Sequence, residues 1–300
     1  MRTRKMSVKN RGRCVDEQSM PSPFTHSGRL PFCKNLLVTL IAVSSVVALP
    51  GFADAAPKTA TASKATAATG VAPPRAGPFV SATAGLPDSA TLVPVSVNGV
   101  PTLTYIAAAR QRKTPIYATK GGLKPDVIMD NQTNFSGRHV FEVLGREGDW
   151  LHVRVPIRPQ NRMGWVKSTD VTLYQHDFGI VVTLSQHLMV VYKSGKEVMR
   201  ETVAVGQSKY PTPTGSFFIR ELARPANPRG AYGPWAFGLS AYSNVLTKFG
   251  RGDGQVGIHG TNLPKQLGTD ASHGCIRVSN AGIIKMAQTL PQGVPVEIRS

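Results

Sequence analysis

Cysteine is nearly missing from this sequence, with only Cys14, Cys33 and Cys275 in 300 residues. A disulfide-stapled scaffold is therefore excluded, and a chain of this length supports about two domains with cores of their own. Acidic side chains are also few, 17 against 35 Lys and Arg, which leaves a formal charge of +18. Aromatic residues make up only 7% of the chain, and no internal repeat or Walker loop occurs. Without a Walker loop there are no sequence grounds for a P-loop nucleotide site. Turn formers are plentiful instead, with 29 Gly and 23 Pro. That balance favours short strands over long helices and predicts a mainly β protein.

The charge is unevenly placed. The first 34 residues carry eight Lys or Arg against Asp16 and Glu17, and the uncharged apolar run NLLVTLIAVSSVVALPGF then extends from Asn35 to Phe52. Ala53, Asp54 and Ala55 follow, so residues 1–55 read as an export signal cut after Ala55. The competing reading is a membrane anchor, because the apolar run as a helix would be about 27 Å long. If the leader is removed, Cys275 is left as a lone thiol in an oxidising compartment, explained either by burial or by chemistry. The expected location is the cell envelope, with membrane attachment only if the segment stays uncleaved.

Residues 56–104 open with a stretch of Ala, Thr, Pro, Ser and Gly that has almost nothing large to bury, and they read as a linker. Residues 105–174 carry a compact β pattern. Val140, Glu142, Leu144 and then Leu151, Val153, Val155 alternate around Gly145–Gly148 as a hairpin, with Trp150 and Trp165 as a small core. The "GWV" strand at Gly164–Val166 and the Gly-x-Trp turn before it resemble the bacterial Src-homology-3-like domain, which implies a small barrel. Residues 176–300 begin with a β meander. They contain one expected helix, capped at Ser279 or Asn280, whose Ile283, Ile284, Ala287 and Leu290 share a face. Glu221–Val256, rich in glycine and aromatics with few periodic runs, is expected to be a lid or substrate wall.

The chemistry concentrates in "HGTNLPKQLGTDASHGC", His259 to Cys275. A thiol attacks as thiolate, and an unperturbed cysteine is only a few per cent ionised at neutral pH, so it needs a base nearby. His259 and His273 are the candidates. His273 lies two residues before the thiol, where an extended chain would point both side chains the same way. His259 follows the strand-like "VGI", so the intervening loop would fold it back over the sulfur. Gly274 leaves backbone N–H groups free to turn toward a developing oxyanion. A zinc site built from His259, His273 and Cys275 is the alternative use of the same residues.

These motifs resemble the L,D-transpeptidases of the YkuD type, whose pattern is a His-Gly, about fourteen residues, then Ser/Thr-His-Gly-Cys. Here that is His259-Gly260 and Ser272-His273-Gly274-Cys275, with "TPTGSFFI" upstream and "IRVSN" downstream also similar. The resemblance implies a YkuD-type β-sandwich with one or two short helices, following the Src-homology-3-like barrel. It makes Cys275 the nucleophile, His259 the proton donor and acceptor, and the Gly260 carbonyl the group that orients the imidazole. Ser272, His273 and Gly274 would support the site and its oxyanion hole. Arg277 stands where some members have Asn, and could pair with a substrate carboxylate. The reaction implied is acyl transfer on a peptidoglycan stem tetrapeptide, without metal or other cofactor. Water as acceptor would make it a carboxypeptidase, and an idle last domain would leave a wall-binding protein. From Ala56 onward 27 Lys or Arg face 14 acids, so anionic wall polymers are expected partners and nucleic acid is not.

Overall fold

The β-branched and aromatic runs separated by glycine turns become strands throughout the computed structural model, which describes residues 80–81, 96–97, 99–130, 139–248 and 252–300. The proposed leader and most of the linker lie outside these residues. Among the described residues no helix is long and apolar enough to cross a membrane.

A first antiparallel sheet runs in the order Val80–Ser81, Val171–His176, Thr104–Ala109, Val140–Glu147, Trp150–Arg154, Met163–Lys167. A ribbon of Lys113–Ile116 and Val127–Asp130 joins its far edge, where Tyr117 and Trp165 exchange backbone hydrogen bonds of 2.9 and 2.8 Å. The hairpin forms, but its inward face differs from the expected one. A bulge between Val143 and Gly145 shifts the register, so Phe141 and Val143 join Leu151, Val153 and Val155 in the core while Glu142 pairs with Arg154 at 2.8 Å. A one-residue slip exchanges the two faces of a strand. The two tryptophans are half-buried outside that core. Trp150 meets Tyr117 edge-on at 5.0 Å, and Trp165 stacks on His152 at 4.8 Å.

The assigned linker is structured at its end, which corrects the boundary drawn at residue 104. Val80–Ser81 adds to the first sheet, Ser96–Val97 pairs with Val100–Pro101, and Val100 is buried against Gly179. Val100 supplies an apolar contact there.

The second sheet has eight strands in the order Lys196–Thr202, Leu188–Lys193, Phe178–Thr183, Pro295–Arg299, Gly215–Ala223, Ala236–Tyr242, Gln255–His259, Ile276–Arg277. It is one curled sheet in place of the two separate sheets of a sandwich. The curl arises in the Gly215–Ala223 strand, whose residues 215–218 pair with Pro295–Arg299 and whose residues 219–223 pair with Ala236–Tyr242 across a register shift. Bulges of this kind bend a strand and sharpen its twist. The enclosed core includes Ile180, Val191, Phe217, Ile219, Phe237, Leu239, Ile258 and Ile276.

The single α-helix among the described residues, Asn280–Thr289, is capped by Ser279, whose hydroxyl accepts from the Gly282 N–H at 2.9 Å. Its buried stripe is Ile283, Met286, Ala287 and Leu290, while Ile284 is exposed. Positions i, i+3, i+4 and i+7 lie on one side of a helix, which selects Met286 over Ile284. The Glu221–Val256 stretch is less of a loop than its composition implies, because Ala236–Tyr242 is a strand buried along its whole length.

Candidate active site

Two short strands bring the motif together. Gln255–His259 and Ile276–Arg277 lie side by side in parallel, with Ile258 opposite Ile276 and His259 opposite Arg277. Side chains alternate faces along a strand. Val256, Ile258, Ile276 and Val278 enter the core, which sends Gly257, His259, Cys275 and Arg277 to the other face. Tyr232 is near both groups, in ring contact with His259 at 4.8 Å and within electrostatic reach of Cys275. The amide N–H of Gly257 is directed at the sulfur. The parallel ladder thus places the strand that ends in His259 beside the strand that follows Cys275.

The imidazole is buried, and its Nδ1 lies 2.6 Å from the Gly260 carbonyl oxygen. A carbonyl can only accept, so Nδ1 carries the proton and the lone pair is left on Nε2. Burial drives the His259 pKa down to about 4, the Gly260 carbonyl opposing this and the Arg277 guanidinium reinforcing it. Burial pushes the Cys275 thiol up, against the pull of the Gly257 amide and of Arg277. Both shifts favour neutral forms, so at pH 7 the pair rests as thiol and imidazole.

Cys275 sits after a tight turn. Gly274 has φ of 111°, a conformation that side-chain-bearing residues rarely adopt. The buried Ser272 hydroxyl secures the turn by accepting from the Gly274 N–H at 3.0 Å and donating to the Cys275 carbonyl at 2.5 Å. The Gly274 amide is thus engaged within the turn itself. The turn also alters the expectation for His273, since the chain is bent there and the ring packs on Tyr210 at 4.9 Å. Among the described residues no group of three or more His, Cys, Asp or Glu is arranged to hold a metal ion.

Arg277 donates from Nη1 to Gln266 Oε1 at 2.8 Å, while its Nε is buried without a hydrogen-bond partner. A buried donor without an acceptor costs about 1–3 kcal/mol, which an arriving anion would recover. Two residues escaped the sequence reading. Tyr232 meets the His259 ring at 4.8 Å; burial raises the pKa of its phenol, a thiolate at Cys275 would add to that shift, and the Arg277 guanidinium opposes it. Asn280 reaches the loop after His259 and accepts from the Thr261 N–H at 2.8 Å. The density of glycine around both, Gly230, Gly233 and Gly260, was the available signal of close backbone approach.

Comparison with known proteins follows this geometry. A model of the L,D-transpeptidase catalytic domain, YkuD, matches residues 177–298. The YkuD protein of Bacillus subtilis (strain 168), named as an L,D-transpeptidase, is 31% identical over 125 residues, spanning 42% of this chain and 68% of the relative. Its namesake in Bacillus licheniformis is 32% identical over 133 residues, 44% of this chain and 70% of the relative. A solved L,D-transpeptidase structure from Mycobacterium smegmatis aligns with 55% of this chain and 93% of its own, at 13% identity and a TM-score of 0.36.

Proposed function

Because the chain belongs to the YkuD family of L,D-transpeptidase catalytic domains, we propose that Cys275 and His259 carry out acyl transfer on peptidoglycan stem peptides. The observation that carries this reading is the Nδ1–H to Gly260 carbonyl bond, which leaves Nε2 as a base on the same face of the sheet as the thiol.

In the proposed reaction the donor is a tetrapeptide ending in D-alanine. As the sulfur attacks the third-residue carbonyl, the thiol proton passes to Nε2 of His259 and the carbonyl π electrons move onto oxygen. The intermediate collapses to a thioester, and Nε2–H protonates the departing amine of D-alanine. An acceptor amine then attacks the thioester carbonyl, gives a proton to Nε2, and releases the sulfur, which regains that proton. The neutral resting pair suits this sequence, because neither partner is spent by a prior proton exchange. The Cys275 amide and its neighbours serve as oxyanion donors in this scheme, with Ser272 holding the turn and His273 supporting it through Tyr210. Arg277 Nε takes a substrate carboxylate.

The same reading extends to the rest of the chain. Residues 1–55 would export the protein to the envelope. The first sheet would be a Src-homology-3-like module, and the cationic surface would hold anionic wall polymers.

Incubating the pure protein with labelled tetrapeptide and following products by mass spectrometry tests the proposal. Dimers linked between third residues, with loss of D-alanine, are expected. Cys275→Ala is expected to abolish the acyl-enzyme and His259→Ala to reduce it severely. Tripeptide alone would make water the acceptor and the activity a carboxypeptidase. No covalent adduct on a folded protein whose thiol still reacts with other reagents would overturn the assignment.

A further inference from the structure

Asn280 is the first residue of the helix, yet it does not cap it. That role belongs to Ser279, whose hydroxyl accepts from Gly282 N–H and donates to Glu201 Oε2 at 2.9 Å. The Asn280 side chain is turned instead to the loop after His259, where Oδ1 accepts from Thr261 N–H. That N–H and the Gly260 carbonyl are the two ends of one peptide unit. The Gly260 carbonyl is the acceptor for His259 Nδ1–H.

A peptide unit is planar and rigid, so fixing its N–H fixes its C=O. Hydrogen bonds in series also polarise one another, and an acceptor on the N–H makes the C=O a better acceptor. The packing leaves Oδ1 little freedom. A Cβ at Gly233 would come within 2.5 Å of it, and one at Gly260 would overlap it. Gly233 has φ of 64°, and Gly260 donates to the Trp235 carbonyl at 3.2 Å. One amide oxygen is thus enclosed by the helix start, the loop after His259 and the segment that lays Tyr232 against the imidazole.

We propose that Asn280 is a positioning residue for His259, acting through the Gly260–Thr261 peptide. It completes a continuous chain from imidazole to peptide to side-chain amide. By holding the peptide plane it keeps the ring in the tautomer that exposes Nε2, and it supports the imidazolium that forms while Nε2 holds the thiol proton. The proposal rests on His259 being the base.

The test compares wild type with Asn280→Ala, Asn280→Asp and Ser279→Ala in the full chain. Histidine 15N spectra report the His259 tautomer and its titration, and mass spectrometry follows acylation of Cys275 by a carbapenem. Asn280→Ala is expected to mix the two tautomers, lower the pH at which His259 titrates because the imidazolium loses support, and slow acylation on the order of 10- to 100-fold with little change in KM, the scale of a small misplacement of a reacting group. Asn280→Asp keeps an acceptor oxygen and should restore both readouts. Ser279→Ala loses the helix cap and should leave the tautomer intact. The proposal is overturned if Asn280→Ala retains the wild-type tautomer and rate, or if Ser279→Ala disturbs them equally. Should wild type fail to acylate while the tautomer still depends on Asn280, the positioning role stands and the transpeptidase reading falls.

Discussion

Lowering the pH from 7 to 5 should unfold much of this protein's stability through two buried rings. His176 ends the strand Val171–His176, with 6% of its surface exposed, and His259 keeps 4%. Burial holds both near a pKa of about 4. The His176 Nδ1 accepts from the Phe178 N–H at 3.3 Å, and its Nε2 lies near the Gly293 carbonyl without a hydrogen bond of normal geometry, which offsets burial only in part. Both folded values lie below the ordinary 6.5, so the unfolded chain takes up protons first as pH falls. The stability contribution is complete above about 6.5, declines through the window, and levels off below about 4. At pH 5 the unfolded ring is about 97% protonated and the folded ring about 9%, a difference of roughly 2 kcal/mol each and ~4 kcal/mol together. That is a large part of an ordinary domain stability of about 5–15 kcal/mol. Urea unfolding followed by tryptophan fluorescence at pH 7, 6 and 5 measures it. His176→Gln, which keeps an acceptor for the Phe178 N–H, should remove about half of the pH dependence whatever it does to stability at pH 7. If the wild-type and His176→Gln curves run parallel between pH 7 and 5, the reasoning is refuted.

Gly274→Ala places a side chain at φ of 111° and should cost about 1–3 kcal/mol while displacing the thiol, read as a lowered melting temperature together with lost acylation. Alkylation of Cys275 by iodoacetamide should be slow at pH 7 and rise with a midpoint above the ordinary thiol value, because burial disfavours the thiolate; a midpoint near neutrality would contradict the neutral pair. Ser279→Ala should lower stability by about 1 kcal/mol through loss of the helix cap, measured by urea unfolding. Arg158 Nη2 donates to the carbonyls of Ser243, Leu246 and Asp253 at 3.1, 3.3 and 3.0 Å, so Arg158→Ala should loosen that loop and speed limited proteolysis within residues 243–253.

Much of the second sheet could be read from local pattern, because its buried positions alternate with the strand period. The helix was legible from Ser279 and from Pro291 and Gly293 beyond its end, and only the choice between Met286 and Ile284 was misjudged. Ala236–Tyr242 was missed for a definite reason. It is buried on both faces, so "AFGLSAY" carries no alternation, and its glycine and serine suggest a loop. The hairpin of the first sheet failed in the other direction. Its alternation was visible, but the bulge at Val143–Gly145 moved the inward set by one residue, and no one-dimensional pattern shows where a partner strand slips.

For the site, short-range sequence supplied the chemistry and long-range pairing supplied the geometry. Cys275 was legible as a thiol in need of a base with His259 and His273 both open, and only the resemblance to the YkuD type implied His259 with the Gly260 carbonyl that lies against its Nδ1. Their meeting depends on Ile258 lying opposite Ile276, a parallel register set by which apolar residues fill the core. The Gly274 N–H is taken by the Ser272 hydroxyl two residues away, a contact that sequence spacing alone does not reveal. Asn280 could not be recognised from its neighbours, since at the start of a helix an Asn reads as a cap. Only the finding that Ser279 already fills that role leaves the Asn280 oxygen unaccounted for, and the Thr261 N–H is where it goes. A residue's part in a site can thus be fixed by which nearby group has already taken the commoner role.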